Sequence, residues 1–268
     1  MAKAREKKNR WAGIYLAVVL AVMYLPIIVV VVYSFNANAS RLPSEFTGFS
    51  LQYYKALFRD TQGLLESLKT SLILAGLSCS AAMVIGTLGA VGMAKRKFRM
   101  QGAFETLAVM PVMIPEIILG VAFLAIFSGL GLRLGMGTLV LSHVTFCTPY
   151  VYMLVKGRLA GMDESLPAAA RDLGASPMRA FLTVTLPLIL PGVLSGVMLA
   201  FAMSMDDFVI SFFATGSNVN PLPLKIYSSV KTGVSPQVNA LSTLMLVFVF
   251  IFAGIWMFLP KRKKEVQK

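Results

Sequence analysis

Residues 158–187 read RLAGMDESLPAAARDLGASPMRAFLTVTLP, a polar stretch set between two long apolar runs. It carries Arg158, Asp163, Glu164, Arg171, Asp172 and Arg179, too many charges for a segment that stays in hydrocarbon. Its punctuation is helical. Asp163 or Ser165 can accept the first backbone N–H groups of a helix, and Pro167 is tolerated in the first turn. Ala168 to Leu173 is helix-forming, and Gly174 supplies a left-handed stop. Ser176-Pro177 reads as a second cap with proline at the first helical position, and Pro187 closes the stretch. The pattern predicts two short helices joined by a glycine hinge on the membrane surface. A chain that is otherwise apolar presents a folded handle to water.

Outward from the handle the chain is made of spans. Of its 268 residues, 57 % are hydrophobic and 14 % charged, against about 25 % charged in soluble domains. The apolar residues come in runs of about twenty, enough to cross about 30 Å of hydrocarbon. Six runs are expected to span: about Trp11–Phe35, Leu68–Ala94, Phe104–Phe127, Thr138–Val155, Leu188–Phe213 and Val238–Leu259. The second is rich in small residues, among them Gly76, Ala82, Gly86 and Gly89, which let helices approach closely. Residues 36–67 form an outer loop. There Leu51, Tyr54, Leu57 and Leu64-Leu65 alternate with Lys55, Arg59, Asp60 and Glu66, the pattern of a short surface helix broken near Gly63.

The formal net charge is +13, which in a soluble protein would suggest nucleic acid as a partner. Here the bases sit between spans instead, so membrane lipid is the expected environment and nucleic acid is not a partner. Lys3, Arg5, Lys7, Lys8 and Arg10 precede the first span, and Lys95, Arg96, Lys97 and Arg99 follow the second. Lys156 and Arg158 follow the fourth, and Lys261, Arg262, Lys263 and Lys264 follow the sixth. The positive-inside rule then puts both termini and the handle in the cytoplasm. The expected organisation is a basic tail over 1–10, a transmembrane domain over 11–260 containing the 158–187 loop, and a basic tail over 261–268. No phosphate-cradling Gly-x-x-x-x-Gly-Lys-[Ser/Thr] loop, Ser-His-Asp set or metal-ligand spacing occurs. Cys79 and Cys147 fall in spans and form no metal or disulfide pattern. The expectation is a non-enzyme that binds no cofactor or metal; if ATP drives it, another chain hydrolyses the nucleotide.

Carboxylates inside spans are costly unless they face protein or water. Glu105 lies at the inner edge of the third span, within reach of water. Glu116 lies about twelve residues in, which at 1.5 Å per residue is ~18 Å deep. Asp206 and Asp207 lie nearer the outer face of the fifth span. Adjacent residues on a helix point about 100° apart, so only one of the pair is expected to face a narrow path. The other would be a packing partner. Carboxylates with the rings of Phe208, Phe212 and Phe213 are the groups an organic polycation would need. Glu116 is open to a second reading, holding a neighbouring helix terminus beside Pro115. His143, between Ser142 and Thr145, reads as an interhelical hydrogen-bonder, and Tyr150 and Tyr152 as packing or interface aromatics.

Ala169-Ala170, Gly174 and Val184-x-Leu186-Pro187 resemble the loop of ATP-binding-cassette (ABC) importer permeases: Glu-Ala-Ala, three residues, Gly, nine residues, Ile-x-Leu-Pro. LSHVTFCTPYV (141–151), RDLGAS (171–176), SMDDFVISFF (204–213) and LPLKIYSSVKTGVSPQVNALST (222–243) resemble the polyamine-type permeases in particular. Among those, the second permease subunit of bacterial spermidine/putrescine systems is the nearest in pattern, and the likeness runs over residues 12–260. It implies an all-α polytopic protein with the type I ABC importer permease (MetI-like) fold and six transmembrane helices, in a bacterial inner membrane. It also implies partners: an ATPase dimer carrying ATP and Mg2+, a related second permease, and an extracytoplasmic solute-binding protein delivering a polyamine. Pro167, Ala168, Ala169, Ala170, Arg171, Asp172, Leu173 and Gly174 would dock in a groove of the ATPase, and Pro187 would fix the entry into the fifth span. Substrate-path candidates are Glu116, Asp206, Asp207, Phe208 and Phe212. One departure stands out: this chain has Ala168 where the pattern has glutamate, which leaves the contact of that glutamate open. The same machine moving an iron complex, a thiamine-like cation or an amino-acid derivative is the alternative, and a secondary transporter a distant one.

Overall fold

The computed structural model describes residues 2–38, 45–95, 98–163, 165–231 and 236–258. The expected basic tail over 261–268, Arg96, Lys97 and Glu164 lie outside them. Among the described residues the structure is helical apart from one isolated antiparallel bridge, Asn36 with Phe49. The chain divides into two compact units, Met1–Leu65 with Ile226–Lys268, and Glu66–Lys225.

The first unit holds α1 (Ala2–Ser34), α2 (Gln52–Phe58) and α12 (Pro236–Phe258). α12 packs against both of the others. α1 runs without a break through the N-terminal basic segment, and none of its most apolar stretch is buried. A helix apolar on every side needs lipid or another chain around it. The loop after α1 is fixed by buried Asn36, whose side-chain amide donates to Glu45 O (2.8 Å) and whose carbonyl accepts from Thr47 N–H (3.0 Å). Phe35 stacks on Phe49 beside it. The short helix expected in this loop is α2, which buries Tyr53 and Leu57, one turn apart. The break expected near Gly63 is a glycine with φ +65°.

The second unit holds α3 (Leu64–Lys95, all but its first two residues), α4 (Gln101–Met113), α5 (Glu116–Gly129), α6 (Met136–Ala160), α7 (Ser165–Asp172), α8 (Pro177–Ala180), a π turn (Phe181–Thr185), α9 (Leu186–Asp206) and α10 (Val209–Ala214). α11 (Leu222–Lys231), for which the sequence reading has no helix, runs from this unit into the first. Its first N–H is held by Ser71 Oγ (2.8 Å). α6 is the central helix. Phe146, Cys147, Val151 and Val155 on it pack with Cys79 and Ala82 of α3 and Ile189, Val193 and Ala200 of α9. Val151 is gripped from both sides. A Cβ at Gly86 would come within 2.9 Å of its Cβ, and one at Gly196 within 2.8 Å of its Cα.

Among the described residues, four helices are long and apolar enough to cross a membrane, Trp11–Ser34, Leu64–Ala94, Met136–Ala160 and Pro177–Asp206, or five spans if the bent α4–α5 pair is one. Two expectations need correcting. The third span is not one helix, because α4 and α5 meet at a bend of 106°. Ile114 and Pro115 are extended there (ψ 131° and 132°), as the residue before a proline prefers. The depth of ~18 Å for Glu116, which assumes a straight helix, therefore does not hold. The fifth span likewise breaks, at Asp207 (ψ 117°), before the short α10.

Pro187 also behaves differently from the expectation. It does not end the handle, since a single helical stretch runs from Pro177 to Asp206. Pro187 lacks an N–H and crowds the preceding turn, and the π turn over Phe181–Thr185 lies immediately before it. The widened turn lets the helix pass through the proline. The second expected short helix is thus the first turn of a long span.

Candidate functional site

Among the described residues, local bonds close the turn of the handle. Ser165 N–H donates to Asp163 Oδ1 (2.9 Å), starting α7. That bond holds the exposed Asp163 carboxyl below the usual range. At the other end Ala175 N–H donates to Ala170 O (3.0 Å) and Gly174 N–H to Arg171 O (2.9 Å). These are the two crossed bonds of a Schellman stop, with Gly174 at φ +89°. A Cβ at Gly174 would meet nothing within 4 Å, so the backbone conformation, not space, demands glycine. Arg179 N–H donates to Ser176 Oγ (3.3 Å), which caps the next helix. α7 packs back on α8 and the π turn. Ala168, Arg171, Asp172, Gly174, Ala175, Ser176 and Pro177 line a shallow groove of about 590 Å³. Ala168, Ala169, Arg171 and Asp172 are exposed, Pro167 and Ala170 half-buried, and Leu173 stands at the tip with 89 % of its surface exposed.

The two broken spans meet. α5 and α10, the half-helices that follow the breaks, pack on each other so closely that a Cβ at Gly120 would come within 2.6 Å of Phe213 Cδ2. Carboxylates stand at both breaks. Glu116 is the first residue of α5, where the positive end of a helix dipole favours an anion, and its side chain is exposed in the single chain. Asp206 ends α9 and is exposed as well. Glu116 lies within electrostatic range of both Asp206 and Asp207.

Asp207 differs from its neighbour. It is 6 % exposed and accepts from Ile210 N–H (3.1 Å) and Ser211 N–H (2.7 Å), capping α10. His143 Nε2 of α6 lies 3.3 Å from Asp207 Oδ2 and 3.1 Å from Ser211 Oγ, and its Nδ1 lies 2.8 Å from Ser204 Oγ. A buried ring and a buried carboxylate thus fix the break in the fifth span. His143 has the interhelical bonding expected of it.

The rings follow the breaks. Phe208, half-buried, lies 5.8 Å from Phe212, and Phe212 stands edge-on to Phe213 at 5.4 Å. Phe212 is exposed. Tyr150, read from sequence as packing, lies within electrostatic range of Glu116 and edge-on to Phe146. The structure also pairs Glu105 with Lys156 (Oε2···Nζ 2.7 Å), where the sequence reading left Glu105 to water. The thiols of Cys79 and Cys147, far apart in sequence, are buried in one cluster between α3 and α6, and Cys147 Sγ donates to Ala200 O (3.5 Å).

Residues 82–262 match the family described as binding-protein-dependent transport system inner membrane component. The chain belongs to this family. The putrescine transport system permease protein PotI of Escherichia coli K12 is 36 % identical over 266 residues, covering 96 % of this chain and 94 % of that protein. The spermidine/putrescine transport system permease protein PotC of the same strain is 40 % identical over 239 residues, covering 89 % of each. In fold, the chain is similar to a subunit of a bacterial ABC transporter that imports the acidic polysaccharide alginate, with TM-score 0.71 and 16 % identity over 94 % of this chain and 98 % of that one. A chain of the MetNI methionine ABC transporter matches with TM-score 0.56 and 20 % identity, over 76 % of this chain and 96 % of that one. This family member is the permease component of a multi-subunit ABC importer, a multi-pass inner-membrane protein and not its ATP-hydrolysing part.

Proposed function

We propose that this permease moves polyamines, spermidine or putrescine, into the cytoplasm by alternating access. The observation that carries the reading is that the two half-helices α5 and α10 pack together, which brings the breaks bearing the exposed carboxylates of Glu116 and Asp206 into one region. A linear chain with several ammonium groups matches that array. Tyr150, Phe208 and Phe212 add aromatic faces for the cation to pass. Asp207, sealed by His143 and the α10 N–H groups, shapes the path and does not bind cargo. The similarity to two polyamine permeases supports the same cargo.

In this reading six spans cross the membrane. The bent α4–α5 pair is the third, and α12, with 23 residues, is the sixth, its length of about 35 Å sufficing for the hydrocarbon. Both termini and the 158–187 loop lie in the cytoplasm, because the lysines and arginines concentrate in the segments on that side. Pro167 to Gly174 seat in a groove on one subunit of an ATPase dimer that carries ATP and Mg2+, and Leu173 is the apolar anchor. A related second permease and an extracytoplasmic solute-binding protein complete the machine. ATP binding closes the dimer, pulls the handle and turns the broken spans outward; hydrolysis resets them.

The test is ATP-dependent uptake of labelled spermidine, putrescine and unrelated cations by proteoliposomes holding all the subunits. Saturable polyamine uptake is the expected result. ATP-driven uptake of a different solute, with no polyamine uptake, would overturn the cargo and leave the permease reading intact.

A further inference from the structure

The C-terminal end of α6 leads directly into the handle, and two of its side chains reach in opposite directions. Lys156 Nζ lies 2.7 Å from Glu105 Oε2 on α4. Arg158 Nε donates to Leu188 O on α9 (3.2 Å). Residues two apart on a helix do not share a face, so one turn holds both neighbours at once. Each attachment is backed. Gln101 donates to Glu105 Oε1 (3.0 Å) and to Met93 O (3.1 Å), and Tyr152 O–H reaches Met93 Sδ (3.3 Å), which ties α3 to the Glu105 side. On the other side the Arg158 stem lies against Gly192, where a Cβ would stand 2.9 Å from Arg158 Cβ.

The helices held in this way are the two that end in the breaks. α4 leads to Glu116 and α9 ends in Asp206. We infer that Lys156 and Arg158 form a yoke, positioning residues through which movement of the handle reaches both carboxylate-bearing spans together. Lys156 and Glu105 are partly exposed, with 48 % and 28 % of their side-chain surfaces open. An ion pair so exposed adds little to stability, so its geometry matters more than its strength. Neither cation touches cargo or nucleotide in the proposed function. The inference rests on that reading, since a yoke needs a handle that is pulled.

The experiment measures polyamine moved per ATP hydrolysed in proteoliposomes holding the whole importer, for Lys156→Gln, Glu105→Gln, Arg158→Met and the exchange Glu105→Lys/Lys156→Glu. The single variants are expected to keep basal hydrolysis and lose about threefold or more of the transport-to-hydrolysis ratio, the size of a coupling through an intermediate contact. The exchange restores the ratio because it rebuilds the pair with reversed sign. An unchanged ratio in the singles, or an exchange no better than either single, overturns the yoke. Gly174→Val is the control. If it also leaves the ratio and the stimulated hydrolysis unchanged, the handle itself fails; if it uncouples while the Lys156, Glu105 and Arg158 variants do not, the yoke alone fails.

Discussion

Asp206 and Asp207 are adjacent, yet one faces out and the other is sealed. Asp206→Asn removes a charge from the proposed path and should lower polyamine uptake at least tenfold while the purified importer assembles and melts as before. Asp207→Asn should lower the melting temperature of the assembled importer, since it weakens buried bonds to a charged acceptor, each worth about 1.5–3 kcal/mol. Equal loss of assembly in both variants would place Asp206 in packing. At Gly174 the open space around the Cβ position separates two causes. Valine should cost about 1–2 kcal/mol by conformation alone and abolish the ATP hydrolysis stimulated by solute-loaded binding protein. Asparagine, which tolerates positive φ, should retain most of it; equal loss with asparagine would mean the surface is read, not the turn. Gly174, Ser176 and Asp163 were legible in the sequence because each acts on backbone a few residues away.

The broken spans were much less legible. Pro115 was visible, and a proline inside a span is compatible with either a tolerated kink or a full break. What decides between them is the packing of α5 on α10, with Gly120 pressed against Phe213. The break at Asp207 depends on His143, which lies on another helix, so no local pattern announces it. Gly120→Val should therefore overpack this contact at a cost of about 1–3 kcal/mol. The importer would melt at a lower temperature and lose uptake, and Phe213→Leu in the same chain should recover part of both. Normal melting and transport in Gly120→Val would show that this contact does not hold the two half-helices together.

At the scale of the whole molecule the sequence was read well where chemistry repeats along the chain. Apolar runs with bases between them gave a polytopic all-helical protein, and the handle pattern gave the importer family. It was read poorly where distant residues meet. The Lys156–Glu105 pair, the Tyr150–Glu116 neighbourhood and the two thiols each join side chains from different helices. The thiols have a practical consequence. Cys79 and Cys147 are the two cysteines of the chain, at 3 % and 0 % exposure. Water-borne maleimides have almost no surface on them to attack. A cysteine placed at Met178, exposed and outside the docking segment, would thus take a fluorophore on the handle in an otherwise native permease, and the swing of the loop could be watched by fluorescence without first stripping the natural sulfurs.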